Sequence, residues 1–139
     1  MTVERVDGLT DDHVDDLLRL YRNEWWTAER EREDVVQMLD GSDEVVAFVD
    51  RDSGGLVAFA RVLTDYAYKA LVLDVIVAES HRGEGLGDRL LEALVDHPRL
   101  ADVEHVELYC LGEMVAFYER WGFTDDLGDL RLMRRDSAR

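Results

Sequence analysis

The chain has 139 residues, 47% of them hydrophobic, which is enough for one domain, residues 1–139, with its own core and too apolar for disorder by composition. Sixteen basic residues against 32 acidic ones give a net charge of −16, which argues against nucleic acids and anionic membranes as partners, since both are held by clustered positive charge. A single cysteine, Cys110, excludes an internal disulfide framework, the apolar runs are too short to cross a bilayer, and the N-terminus lacks a signal pattern, so a cytoplasmic location is expected.

Residues 2–6 are a candidate first strand. Thr10 is a plausible N-cap, with Asp11 and Asp12 favourable in the first turn. Val14, Leu17, Leu18 and Tyr21 then mark one face of a helix. Trp25 and Trp26 break that pattern, and a second helix is predicted over residues 31–39, with Gly41 as its stop. Residues 44–50 and 56–63 read as strands joined by the RDSGG turn, hence a hairpin. LVLDVIV, residues 71–77, is a nearly continuous apolar run, as expected of a strand covered on both faces. A glycine-rich turn follows, then a helix with Leu86, Leu90, Ala93 and Leu94 on one face, ending before Pro98. Residues 103–110 alternate as a strand, with Cys110 as a buried thiol at its end. A last helix presents Met114, Phe117, Tyr118 and Trp121, with Gly122 as its stop, and residues 130–133 read as a closing strand. The order β, α, α, β, β, β, α, β, α, β suits a mixed sheet with helices on both faces.

The turn between strand and helix carries Arg82, Gly83, Glu84, Gly85, Leu86 and Gly87. Glycines at alternate positions leave backbone N–H groups open at a helix start, where the first donors lack partners and the macrodipole is positive. Such a site suits a phosphate or pyrophosphate. A Walker loop needs a GK[ST] ending, and Asp88 follows Gly87 here. The dinucleotide fingerprint has a different glycine spacing and belongs near the first strand of its unit. The arrangement R-x-x-G-x-G, within a frame running from Val77 to Gly87, closely resembles the acyl-CoA-binding motif of the GNAT superfamily of N-acyltransferases. FYERWGF, residues 117–123, resembles the family's late-helix motif, and the element order matches over nearly the whole chain.

The resemblance implies an α/β (α+β) fold with a GNAT-type mixed, mainly antiparallel sheet flanked by helices on both faces. It implies acetyl-CoA as cosubstrate, with its pyrophosphate on the Arg82–Gly87 loop and its pantetheine and thioester along the main chain of Ile76 and Val77. Tyr118 falls where many family members place the proton donor to the leaving thiolate, and a phenol is protonated at neutral pH; packing on the apolar stripe of its helix is the alternative. Asp74 interrupts an apolar strand, so its carboxylate needs either a fixed partner or a wet cleft. It is a candidate base or a hydrogen-bond anchor, with Asp65 and Glu24 as weaker bases and a water chain as the family's other solution. Trp25 and Trp26 sit where the early helices wall the acceptor pocket, and as sequence neighbours they cannot both face inward on one helix. An aromatic wall suits an amine through cation–π contact; packing is the alternative. Arg61 is placed to pair with Asp74 or Asp65, or to bind an acidic acceptor. Two positions depart from the family pattern: Leu111 stands where an asparagine is frequent, and His81 where an aromatic often precedes the loop arginine.

The four histidines show no ligand spacing with each other or with the cysteine, so no metal is expected. The acids are spread along the chain, Lys69 is the only lysine, and such a surface resembles proteins of salt-in halophiles, where self-repulsion is screened. The expected activity is acetyl transfer from acetyl-CoA to a primary amine of a small molecule or peptide, by a monomer or homodimer. The alternative is an acyl-CoA-binding sensor or partner module without turnover.

Overall fold

The computed structural model describes residues 2–138. They divide into two compact units, the first ending at Leu108 and the second beginning at Tyr109.

The first unit opens with strand β1, Val3–Val6. Helix α1, Asp11–Arg22, begins where Thr10 caps it: the Thr10 hydroxyl accepts from the His13 amide, and the His13 ring accepts in return from the Thr10 amide. Leu17 and Tyr21 on its apolar face are fully buried. Helix α2, Arg32–Gly41, runs through Gly41 and stops at Ser42, two residues beyond the predicted end. Strands β2, Glu44–Asp50, and β3, Leu56–Thr64, form the predicted hairpin. Its turn closes on Gly54, whose φ of 73° is open to glycine at no steric cost, and on the Asp50 carboxylate, which accepts from the Asp52 amide at 2.8 Å. Strand β4, Lys69–Val77, is followed by a 3-10 turn at Glu79–His81 and by helix α3, Leu86–Val95. Strand β5 covers only His105–Glu107.

The sheet runs β1-β2-β3-β4-β5 in space, antiparallel throughout except for the parallel β4–β5 pair. In the register, Ala47 opposes Phe59 and Phe48 opposes Ala58. Successive side chains alternate faces, so Phe48 and Phe59 lie on opposite sides. Tyr21 of α1 meets the Phe59 ring edge-on at 6.4 Å, while Arg89 of α3 lies over Phe48 at 4.7 Å. Helices therefore cover both faces, as the sequence predicts. On the α3 side, Leu86, Leu90 and Leu91 are each at most 1% exposed. Burying one such leucine contributes roughly 1.5–3 kcal/mol, so this stripe fixes how α3 lies on the sheet.

The second unit holds a 3-10 turn at Gly112–Met114 and helix α4, Val115–Glu119. Tyr118 packs edge-on against Phe117 and Phe123, at 5.1 and 6.0 Å. Gly122, at φ 90°, turns the chain so that the Phe123 amide donates back to the Tyr118 carbonyl.

Three expectations are corrected here. The strand predicted over 103–110 pairs only over 105–107, and Cys110, beyond the last paired residue, is exposed rather than buried. Residues 130–133 are not a strand, and Leu130, Leu132 and Met133 are 65–89% exposed. Alternation marks a chain able to pair, but a strand also needs a partner edge, which periodicity does not specify. Among the described residues, no helix is long and apolar enough to cross a membrane.

Candidate active site

The strand–turn–helix around the glycine loop lies wholly in the first unit. Gly83 and Gly85 have φ of 81° and 83°, in the left-handed region that L side chains rarely adopt. A Cβ built on either would meet nothing within 4 Å, so the loop's outer surface is open. Gly85 is the N-cap of α3 and supplies no side-chain cap. The first helical bond is Arg89 N–H to the Gly85 carbonyl, which leaves the amides of Leu86 and Gly87 ahead of the hydrogen-bonded ladder. Ten residues of aligned peptide dipoles end at this point. The arrangement can hold an anion through main-chain N–H groups.

Beside the loop the sheet splays. Strand β5 pairs with Lys69, Ala70 and Leu71 of β4 and goes no further. From Val72 to Val77, no strand among the described residues covers that edge of β4. Ile76 and Val77 thus sit on an open sheet edge that leads straight into the glycine loop. An extended arm with amide groups can complete such an edge by main-chain hydrogen bonds.

Arg82 is bound at both ends: its Nε donates to the Val77 carbonyl at 3.2 Å and its Nη2 to Glu24 at 2.6 Å. Glu24 is therefore a partner of the loop arginine. His81, where the family often has an aromatic, contacts the Asp50 carboxylate at 3.1 Å and ties the loop's start to the β2–β3 hairpin.

Asp74 occupies a β-bulge. Phe59 opposes Ile76 and Arg61 opposes Leu73, so Asp74 and Val75 together face Ala60. Its φ of 56° is left-handed, a conformation that aspartate tolerates better than most residues. Asp74 is 8% exposed, and its carboxylate accepts four hydrogen bonds from three side chains: Tyr21 Oη at 2.9 Å, Arg30 Nη1 and Nη2 at 2.7 and 3.4 Å, and Arg61 Nε at 2.8 Å. Burial pushes its pKa up, but hydrogen bonds and charge from Arg30 and Arg61 outweigh this and hold it below the ordinary carboxylate value. The fixed-partner alternative is thus what the geometry contains, and a low-pKa carboxylate in two ion pairs is a weak base. Tyr21, pushed upward by burial, then by the Asp74 charge and hydrogen bond, stays a donor. The sequence places Tyr21 only on the apolar face of α1 and gives no signal for Arg30, which lies 44 positions from Asp74 with no local pattern linking them.

Asp65 accepts from the amides of Ala67, Tyr68 and Lys69 at 2.8–3.1 Å, and these bonds lower its pKa. Its role is to close the β3–β4 turn. Trp25 and Trp26 are 77% and 42% exposed on the α1–α2 connection, which Thr27 pins by donating to the Tyr21 carbonyl at 2.8 Å.

In the second unit, Tyr118 is 8% exposed, and its pKa is pushed up to about 12, mainly by burial. No hydrogen bond engages its hydroxyl among the described residues. It is a phenol that stays protonated across the neutral range.

The profile of the Acetyltransferase (GNAT) family matches residues 12–123. The chain is 38% identical over 107 residues to serotonin N-acetyltransferase 2, chloroplastic, of Oryza sativa subsp. japonica, covering 75% of this chain and 53% of that protein. It is 35% identical over 71 residues to GCN5-related N-acetyltransferase 2, chloroplastic, of Arabidopsis thaliana, covering 51% and 28%. The chain thus spans between about a quarter and a half of these relatives' lengths. Among solved structures, it superposes on a GNAT-family protein of Xanthomonas campestris pv. campestris with a TM-score of 0.83, at 30% identity, covering 99% of this chain and 94% of the other. An acetyltransferase of Trypanosoma brucei shares the fold with a TM-score of 0.77 at 23% identity, covering 98% and 100%. With its glycine loop, splayed sheet and family match over most of its length, the chain belongs to the GNAT acetyltransferase family.

Proposed function

We propose that this protein is an N-acetyltransferase that moves an acetyl group from acetyl-CoA to a primary amine by direct attack. The observation that carries the proposal is the continuity of the uncovered β4 edge, Val72 to Val77, with the uncapped N-terminus of α3. An acyl-CoA needs both features at once: amides for a pyrophosphate and a free strand edge for an amide-bearing arm. In this reading the amides from Gly83 to Gly87 hold the pyrophosphate, and the main chain at Ile76 and Val77 holds the pantetheine and orients the thioester carbonyl. Arg82, held by Glu24 and Val77, shapes the loop. Trp25 and Trp26 contribute to the acceptor side.

For the chemical step, the amine nitrogen attacks the thioester carbon, the C–S bond breaks, and the thiolate takes a proton. Tyr118 is our donor. A thiol has a reference pKa near 8.5, so a phenol at about 12 supports the developing thiolate chiefly as a hydrogen-bond donor, completing transfer late. Asp74 serves as an anchor for Arg30 and Arg61, and the amine loses its proton through water. Residues 1–139 act as one domain in this reading, since the family match runs through both units.

A second reading, an acyl-CoA sensor without turnover, draws on the engagement of Asp74, Asp65 and Glu24, which leaves none of these candidate bases unpaired. The two readings separate when acetyl-CoA is titrated by calorimetry and then incubated with a panel of amines while free thiol is measured. Binding with amine-dependent thiol release supports the enzyme. Binding without release from any amine leaves the sensor, and absence of binding removes both.

A further inference from the structure

The amine acceptor has a class that the Asp74 cluster itself suggests. Asp74 carries one negative charge, Arg30 and Arg61 carry two positive charges, and Tyr21 is neutral. The cluster is therefore net positive, in a chain of net charge −16. The Arg61 side chain is 12% exposed, so its charge is largely withdrawn from bulk water and weakly screened, while Arg30, at 32%, is partly solvated. Arg30 spends both terminal nitrogens on the two Asp74 oxygens, at 2.7 and 3.4 Å. Arg61 spends only Nε. Its two terminal NH2 groups have no acceptor among the described residues, and neither is a sealed, unsatisfied group. Nη1 and Nη2 together present the planar edge that matches a carboxylate in bidentate fashion.

The position along the chain gives this edge its meaning. Asp74 precedes Ile76 by two residues on β4, and Arg61 stands opposite Leu73 on β3. The strand positions that hold the guanidinium thus adjoin, in register, the main chain to which the proposed function assigns the thioester. A plain aliphatic ammonium would meet net positive charge there. An amine carrying its own carboxylate would satisfy the idle donors and compensate the charge.

Resting on the acetyl-transfer reading, we propose that the acceptor is an amino-carboxylate, held by its carboxylate on Arg61 Nη1 and Nη2, with Asp74 and Arg30 fixing the guanidinium. Asp74 and Arg30 are positioning residues here, and Arg61 is a specificity determinant. The net charge of −16 on the chain as a whole repels acidic molecules at low salt, so the preference is expressed best in molar KCl, where the Debye length is about 3 Å.

The test pairs α-amino acids with their decarboxylated amines and their carboxamides, with a phosphorylated amine as a further arm. Thiol release from acetyl-CoA and calorimetric binding to the intact protein are both read. A charge-assisted bidentate contact predicts roughly 10–100-fold in kcat/KM for the carboxylate member, carried mainly by KM. Arg61→Lys keeps a cation beside Asp74 but removes the planar edge, so the ratio between members should collapse toward one; the wild-type comparison stands even if that variant folds poorly. Turnover with no preference, or preference for the phosphorylated amine, overturns the inference and leaves acetyl transfer intact. Carboxylate-selective binding without turnover upholds the site and overturns the acetyl-transfer reading. Neither binding nor turnover overturns both.

Discussion

Replacing Asp74 with Asn tests the charge cluster at constant shape. Asparagine fills the same volume and tolerates the left-handed φ of 56°, so the bulge is not the variable. What changes is that Arg30 and Arg61 lose their shared anion. Removing one partner from a buried ion pair costs about 3–5 kcal/mol. Arg61, 12% exposed, lies close to that regime, whereas Arg30, about one-third exposed, recovers much of its solvation and adds little. The expected loss is about 2–4 kcal/mol, read by urea denaturation in molar KCl with unchanged m-value. The pH dependence gives an independent check. Because the folded pKa of Asp74 is depressed, its contribution is full above the unfolded value of about 3.9 and is lost as pH falls from there through the folded pKa. The gap between wild type and Asp74→Asn is therefore constant at neutral pH and closes only in acid. A gap below about 0.5 kcal/mol at pH 7, or one that widens in acid, would refute the account of Asp74 as an anchoring anion.

Gly85→Val places a β-branched side chain at φ 83°, so CoA affinity should fall by at least about 10-fold while α3 keeps its buried leucines; unchanged affinity by calorimetry removes the pyrophosphate from this loop. Tyr118→Phe keeps the ring contacts with Phe117 and Phe123 and deletes the O–H, so kcat should drop by about 10²–10⁴ with CoA affinity and melting temperature nearly intact; preserved kcat would leave Tyr118 a packing residue. With a charge of −16, the melting temperature should climb steadily from low to molar KCl, and a flat or falling profile would count against self-repulsion as the dominant salt effect.

Much of the first unit was legible because its signals are local. LVLDVIV has no polar position but Asp74, Thr10 precedes a helix with acids in its first turn, and alternate glycines mark a backbone that must turn left-handed at Gly83 and Gly85. The loop's surroundings were less legible because they depend on partners distant in sequence. The pairing of Arg61 with Asp74 is one of the sequence expectations, but nothing near Asp74 announces that Tyr21 and Arg30 converge on it as well. The bulge was hidden too, since side-chain alternation alone assumes an even strand, while two residues face Ala60 here. Residues 103–110 and 130–133 carry strand periodicity, yet pairing requires an available edge, and β5 keeps β4 company for three residues before leaving it. That early departure shortens the expected strand and also creates the uncovered edge on which the proposed function rests.

The most direct measurement of that function is product analysis by mass spectrometry after incubating the protein in molar KCl with acetyl-CoA and a primary amine. The account predicts one acetylated amine for each free CoA thiol released, with neither formed when the amine is omitted. Thiol release that is independent of the amine, or an amine recovered unmodified from every acceptor tried, would contradict it.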